Sequence, residues 1–126
     1  MRILKFYDGL DKLKRLRSFY RNYSKEIIDF NGAHLANIVV GAGWEKKLRY
    51  FEDEKKLERM KEAGFNGAHL AKIVYGSDWE EKLRKVLTEE VLDLLAKKIV
   101  THSEIALLCE KKSWRKEIES FLEKSF

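Results

Sequence analysis

Proline is missing from all 126 residues, which removes the commonest breaker of helix interiors. Cysteine occurs once, at Cys109, so no internal disulfide can form and the composition argues against a cysteine-rich zinc site. That residue closes the apolar run Ile105-Ala106-Leu107-Leu108-Cys109, the setting of a buried structural thiol rather than a nucleophile. No apolar run approaches the roughly 20 residues that span a bilayer. The N-terminus alternates charged and aromatic residues, unlike a secretory signal. A P-loop, a dinucleotide-binding glycine motif, an HExxH helix and a Ser-His-Asp order are also lacking. These absences point away from an enzyme, a cofactor, a small-molecule substrate and a membrane partner. They point toward a soluble, largely helical chain.

Charge and repetition are what the chain does contain. Hydrophobic residues make up 44% and charged residues 37%, a balance that suits a folded domain rather than a disordered one. The net charge is +5, concentrated in residues 1–29, where eight basic residues face four acidic ones. A positive end favours an anionic partner. Elsewhere carboxylates and lysines interleave, as in Glu52-Asp53-Glu54-Lys55-Lys56, the pattern of a solvated helix face.

Residues 30–51 read FNGAHLANIVVGAGWEKKLRYF and residues 65–86 read FNGAHLAKIVYGSDWEEKLRKV. They are offset by 35 and identical at 15 of 22 positions without a gap. The same shift carries Trp44 to Trp79 and Trp79 to Trp114, and a diverged third copy follows Val100. Backward, Ile3, Leu4, Leu13 and Leu16 fall in register, so the chain begins inside a partial repeat, either a cut from a longer array or a cap. The expected units are a partial repeat over 1–29, repeats over 30–64 and 65–99, and a terminal repeat over 100–126.

Capping residues support the register. Asn31, Asn66 and Thr101 are equivalent N-caps, and Glu104 completes a capping box with Thr101. Gly43, Asp78 and Ser113 each precede a tryptophan-led helix, Asp8 is their equivalent in the partial repeat, and the side chains of Asp8, Asp78 and Ser113 can accept bonds from the first turn that follows. The pattern predicts a short helix over 33–40 and 68–75, a tight loop and a longer second helix. Its apolar stripe runs at i, i+4, i+7 and i+8, as in Trp79, Leu83, Val86 and Leu87. Ser18, Asp53 and Thr88 are equivalent and able to cap a further short helix where the long one breaks or kinks. Gly64 suits a helix C-terminus. The tryptophans are expected to pack between neighbouring units.

This arrangement resembles the repeats of TAL-effector-like proteins, the DNA-binding solenoids of bacterial effectors. The resemblance rests on the repeat length and on the apolar positions Phe30, Leu35, Ile38, Val39 and Leu48 with their partners Phe65, Leu70, Ile73, Val74 and Leu83. It implies an all-α, right-handed helical-repeat solenoid of about three and a half 35-residue units. It also implies secretion by a bacterium into a host cell. It places Gly41-Ala42, Gly76-Ser77 and Lys111-Lys112 where the family carries its base-reading pair. The family's phosphate-approaching glycines are replaced here by Gly43-Trp44-Glu45-Lys46 and Asp78-Trp79-Glu80-Glu81, whose indoles and carboxylates repel a phosphate. The fold transfers better than the DNA code.

Two readings of function follow. In the first, the chain is a non-enzymatic scaffold that binds a protein. The segment Asn-Gly-Ala-His-Leu-Ala is unchanged between the two full copies, whereas residues 52–64 and 87–99 agree at only two of 13 positions. Core packing does not account for Gly32, His34, Gly67 and His69, so the face carrying them, with Asn31 and Asn66, is the expected binding surface together with the loop pairs. In the second, nucleic acid is the partner and Lys46, Lys47, Lys82 and Lys116 touch phosphates, with Lys111 and Lys112 beside them. A metal site is not expected. Equivalent histidines on stacked helices start about 8–10 Å apart, and zinc draws its ligands to within about 2.0–2.2 Å. His102 has no evident partner.

Overall fold

The computed structural model describes residues 12–24, 27–40 and 43–125. Among these every regular element is helical. Helix α1 covers 12–19 and widens into a π-helical turn at Tyr20–Ser24. Then follow α2 (Gly32–Ile38), α3 (Trp44–Phe51), α4 (Glu54–Glu62), α5 (Gly67–Ile73), α6 (Trp79–Val86), α7 (Glu89–Ala96), α8 (His102–Glu110) and α9 (Trp114–Ser125). No helix among the described residues is long and apolar enough to cross a membrane.

The starts of α2, α5 and α8, and of α3, α6 and α9, recur at the 35-residue offset of the sequence. Helix α5 packs on α2, and α8 packs on α5. One apolar cluster runs through these seams, including Phe30, Ile38, Leu48, Phe51, Ile73 and Val86, all fully buried. Burying each such side chain is worth about 1.5–3 kcal/mol, which is what holds helices this short in place, since they are marginal alone.

The expected break in the long helix is present at two of the three places and takes different forms. Asp53 stops α3 and starts α4, its carboxylate accepting from the N–H groups of Lys55 and Lys56. Thr88 separates α6 from α7, but its hydroxyl donates back to the Lys85 carbonyl and makes no cap. At Ser18 the helix does not break but passes into the π turn. In the third copy Glu123 stands at this position, and α9 runs on unbroken. Gly64 ends α4 with φ +93° as the left-handed residue of a Schellman turn, closed by Phe65 N–H to Met60 O at 3.1 Å.

Tryptophan sits in the seams. Trp79 and Trp114 are buried and Trp44 is half-buried. Trp79 meets Tyr50 of α3 edge-on at 5.7 Å. The Trp114 indole N–H donates to Asp78 Oδ2 at 2.7 Å. Trp79 and Trp114 thus each tie their helix to the preceding unit.

Candidate functional site

The retained Asn-Gly-Ala-His segments form two matching helix starts. Asn31 Oδ1 accepts from His34 N–H at 2.9 Å, and Asn31 N–H donates to His34 Nδ1 at 3.2 Å. Asn66 and His69 repeat both bonds at the same distances. This is a capping box with histidine in the place usually held by Glu or Gln. Because Nδ1 accepts, the proton lies on Nε2, and His69 Nε2 reaches Ser103 Oγ at 3.3 Å. The two glycines differ. A Cβ on Gly67 would lie 2.6 Å from the Asp29 carbonyl and 2.8 Å from His34 Nδ1, so α5 seats on the preceding unit only because that side chain is absent. A Cβ on Gly32 would meet nothing.

His102 occupies the position of these glycines in the third copy. Its Nε2 donates to the Ala63 carbonyl at 2.7 Å, its ring stands edge-on to Phe65 at 4.8 Å, and it stacks on His69 at 5.7 Å. Room for it comes from Gly64, where a Cβ would fall 2.7 Å from the His102 ring. Asp29, one repeat earlier, has changed to Gly64 where Gly67 has changed to His102. That paired exchange was the available sign that His102 has a partner. Burial, then the fields of His102 and Lys72, holds the His69 pKa below the ordinary histidine value. Retention of Asn31, His34, Asn66, Gly67 and His69 thus has an internal cause, helix capping and seating, and does not by itself mark a surface for a partner.

Gly41 and Ala42 lie outside the described residues, as do Asp8, Ile3 and Leu4. Gly76 takes φ +102° and Ser77 is exposed, as are Lys111 and Lys112. Asp78 does not cap α6: its backbone is at φ −97°, ψ 24°, and its carboxylate is taken by Trp114 and by Lys82 Nζ at 3.2 Å. Ser113 Oγ turns to Glu117 at 3.3 Å.

Two of the lysines expected at phosphates are inside the fold. Lys82 is 5% exposed and donates to the Tyr75 carbonyl at 3.1 Å as well as pairing with Asp78. Lys47, its equivalent, is 1% exposed, and burial with the field of Lys82 lowers its pKa. Lys46 is exposed but pairs with Glu80 at 3.3 Å, and Lys111 pairs with Glu117 at 3.2 Å. Lys112 and Lys116 remain as exposed cations with no ion-pair partner among the described residues. Along the long helices Arg15–Glu52, Lys46–Glu80, Lys85–Glu119 and Arg115–Glu81 pair one unit with the next.

A groove that the sequence reading overlooked lies at the ends of the short helices. Asn37, Ala71, Lys72, Tyr75 and Glu110 enclose about 430 Å³ across α2, α5 and α8. Of these Tyr75 is 54% exposed, and Val40, its equivalent one unit earlier, is 49% exposed. Within the otherwise retained segment these positions vary: Asn37, Lys72 and Leu107 are equivalent, as are Val40, Tyr75 and Glu110. Attention to what is retained between copies leads to the framework, whereas this edge is marked by what changes.

Burial pushes the Cys109 thiol up to about 12, so it stays protonated and unreactive at neutral pH. No group of three His, Cys, Asp or Glu side chains converges as metal ligands would among the described residues. No known protein family, characterised protein or solved structure matches this chain.

Proposed function

We propose that this chain forms a right-handed helical-repeat superhelix that binds another protein along the edge formed by its short-helix ends. The observation that carries the reading is the division of labour between positions. Residues shared by the copies are spent on caps and seams, while an exposed position that differs carries large apolar groups, Val40 and Tyr75, the latter lining a groove. A half-exposed tyrosine next to a concave seam is the kind of amphipathic anchor that protein interfaces favour. Stacking of α2, α5 and α8 at a constant sequence offset supports the superhelix.

Nucleic acid is the second reading, favoured by Lys112 and Lys116 at the third loop and by the net charge of +5. The buried Lys47 and Lys82 and the paired Lys46 and Lys111 weigh against it.

The two are separated by binding to duplex DNA at about 50 and 200 mM salt, where a phosphate-tracking protein loses orders of magnitude in affinity. The companion measurement is capture from nuclease-treated lysate by the wild-type chain and by Tyr75→Glu. Expected are no duplex binding at low salt and a partner that Tyr75→Glu loses without a change in melting temperature. Tight, salt-steep duplex binding, or a captured set indifferent to Tyr75→Glu, overturns the protein reading.

A further inference from the structure

The two seams between short helices differ in what faces the capping histidine. Where α5 meets α2, the residue seated against the His34 ring is Gly67. Where α8 meets α5, its equivalent is His102, whose ring stacks on His69 at 5.7 Å. Among the described residues, imidazoles lie face to face in the α5–α8 seam alone. Ala106 and Cys109 of α8 are fully buried. Glu110 of α8 lines the 430 Å³ groove together with Ala71, Lys72 and Tyr75.

Both ring nitrogens of His69 are engaged in its neutral form. Nδ1 accepts from the Asn66 N–H at 3.2 Å, and Nε2 donates across the seam to Ser103 Oγ at 3.3 Å. A proton added at Nδ1 sets a donor against a donor, so the capping bond is lost. The new charge stands in the first turn of α5, where the helix dipole disfavours a cation, and against the His102 ring. Nothing packed around the pair offsets it. Lys72 on α5 is itself a cation, and α2 brings His34 beside Gly67. From α4, Arg59 and Glu62 line a groove with His102 in which α7 contributes only Leu92, Leu95 and Ala96. Glu104 of α8 accepts from the Thr101 N–H within its own cap. No carboxylate pairs with either ring among the described residues.

We propose that the α5–α8 seam is a pH-sensitive joint, which a proton on His69 opens below neutral pH, taking the Tyr75 groove apart while the α2–α5 seam stays shut. The consequence for a partner rests on the protein-binding reading above, and the opening itself does not. Opening removes the burial and the His102 field that hold the His69 pKa below its ordinary value, so the open form takes the proton first and acid favours it. For an open-form pKa of about 6.5, one such group raises the opening constant by at most about tenfold between about pH 7.5 and 5.5.

Hydrogen exchange of the full 126-residue chain, divided by the intrinsic rate at each pH, reads α2 and α8 separately. Maleimide labelling of Cys109, divided by the rate for the urea-unfolded chain at the same pH, reads the seam. Expected is a several-fold rise in opening at α8 and Cys109 across that range, with α2 unchanged. His69→Gln keeps a side chain that can reach back to the cap and flattens the rise. His34→Gln, the same change in the other seam, leaves it in place. A wild-type rise below about twofold, where linkage allows up to about tenfold, overturns the proposal. So does a loss of protection in α2 in step with α8, a rise that survives His69→Gln, or one that His34→Gln removes. The wild-type comparison of α8 with α2 decides the matter even where a variant fails to fold.

Discussion

Single residues in this molecule are read best in pairs of equivalents, because the same amino acid meets different surroundings one unit apart. Gly32 and Gly67 are such a pair. Gly67→Ala drives a methyl against the Asp29 carbonyl and the His34 ring, and is expected to cost about 1–3 kcal/mol as an overpacking change. Gly32→Ala meets open space, and is expected to be neutral or to gain up to about 0.5–1 kcal/mol from reduced unfolded-state freedom. Urea denaturation of both variants checks the contrast. His69 supplies a pH dependence. Its folded pKa is held below the ordinary value, first by burial and then by His102 and Lys72, so on acidification the unfolded chain binds the proton first. Stability from this residue is complete above the ordinary value of about 6.5 and is lost as pH falls from there toward the lower folded value. His69→Gln retains a side chain able to reach the Asn66 N–H, so denaturation from pH 8 to 5 should fall less steeply for this variant than for the wild type.

At the scale of elements, helix ends decide most of what is distinctive. Capping boxes at Asn31, Asn66 and Thr101 fix where α2, α5 and α8 begin, and all three residues were evident as N-caps because the chemistry of capping is local. Less evident was the reach-back of His34 and His69, which turns a presumed surface histidine into part of the cap. The C-terminal ends differ between copies. Helix α4 stops with Gly64 in the left-handed region, but α7 stops with Lys98 there, at φ 61°. Both close the same turn, through Phe65 N–H to Met60 O and Ile99 N–H to Leu94 O. A non-glycine residue in that region carries a cost of about 1–2 kcal/mol. Lys98→Gly should therefore raise stability by about 0.5–1 kcal/mol after the entropic penalty of glycine, read as an upward shift of the melting temperature. Asp78 shows where local reasoning stops. A carboxylate before a helix reads as a cap, yet the indole of Trp114, 36 residues on, claims it instead.

Over the whole molecule two kinds of charge pairing coexist and should respond differently. Lys46–Glu80 and Lys85–Glu119 join neighbouring units on the surface, where such pairs are each worth about 0–1 kcal/mol and are screened by salt. Asp78 binds the buried Lys82 and the Trp114 indole. Burial alone would raise its pKa, but those two donors outweigh it and hold the carboxyl below its usual range. Asp78→Asn is expected to cost about 1–3 kcal/mol, since it strands a buried ammonium, and the loss should persist when denaturation is repeated in 1 M salt, where surface pairs no longer count. The period of 35, the helical character and the apolar stripes were legible in the sequence because each depends on residues a few positions apart, repeated. Which lysines reach solvent was not legible: Lys46 and Lys47 are neighbours in the chain, yet one is exposed and the other buried, a difference made by the units stacked around them. The same holds for the groove at Tyr75, which exists only between helices distant in sequence. Sequence alone determined the parts and their spacing through local hydrogen bonding and periodicity. Tertiary packing decided which of those parts face outward, because burial is a property of neighbours and not of the residue itself.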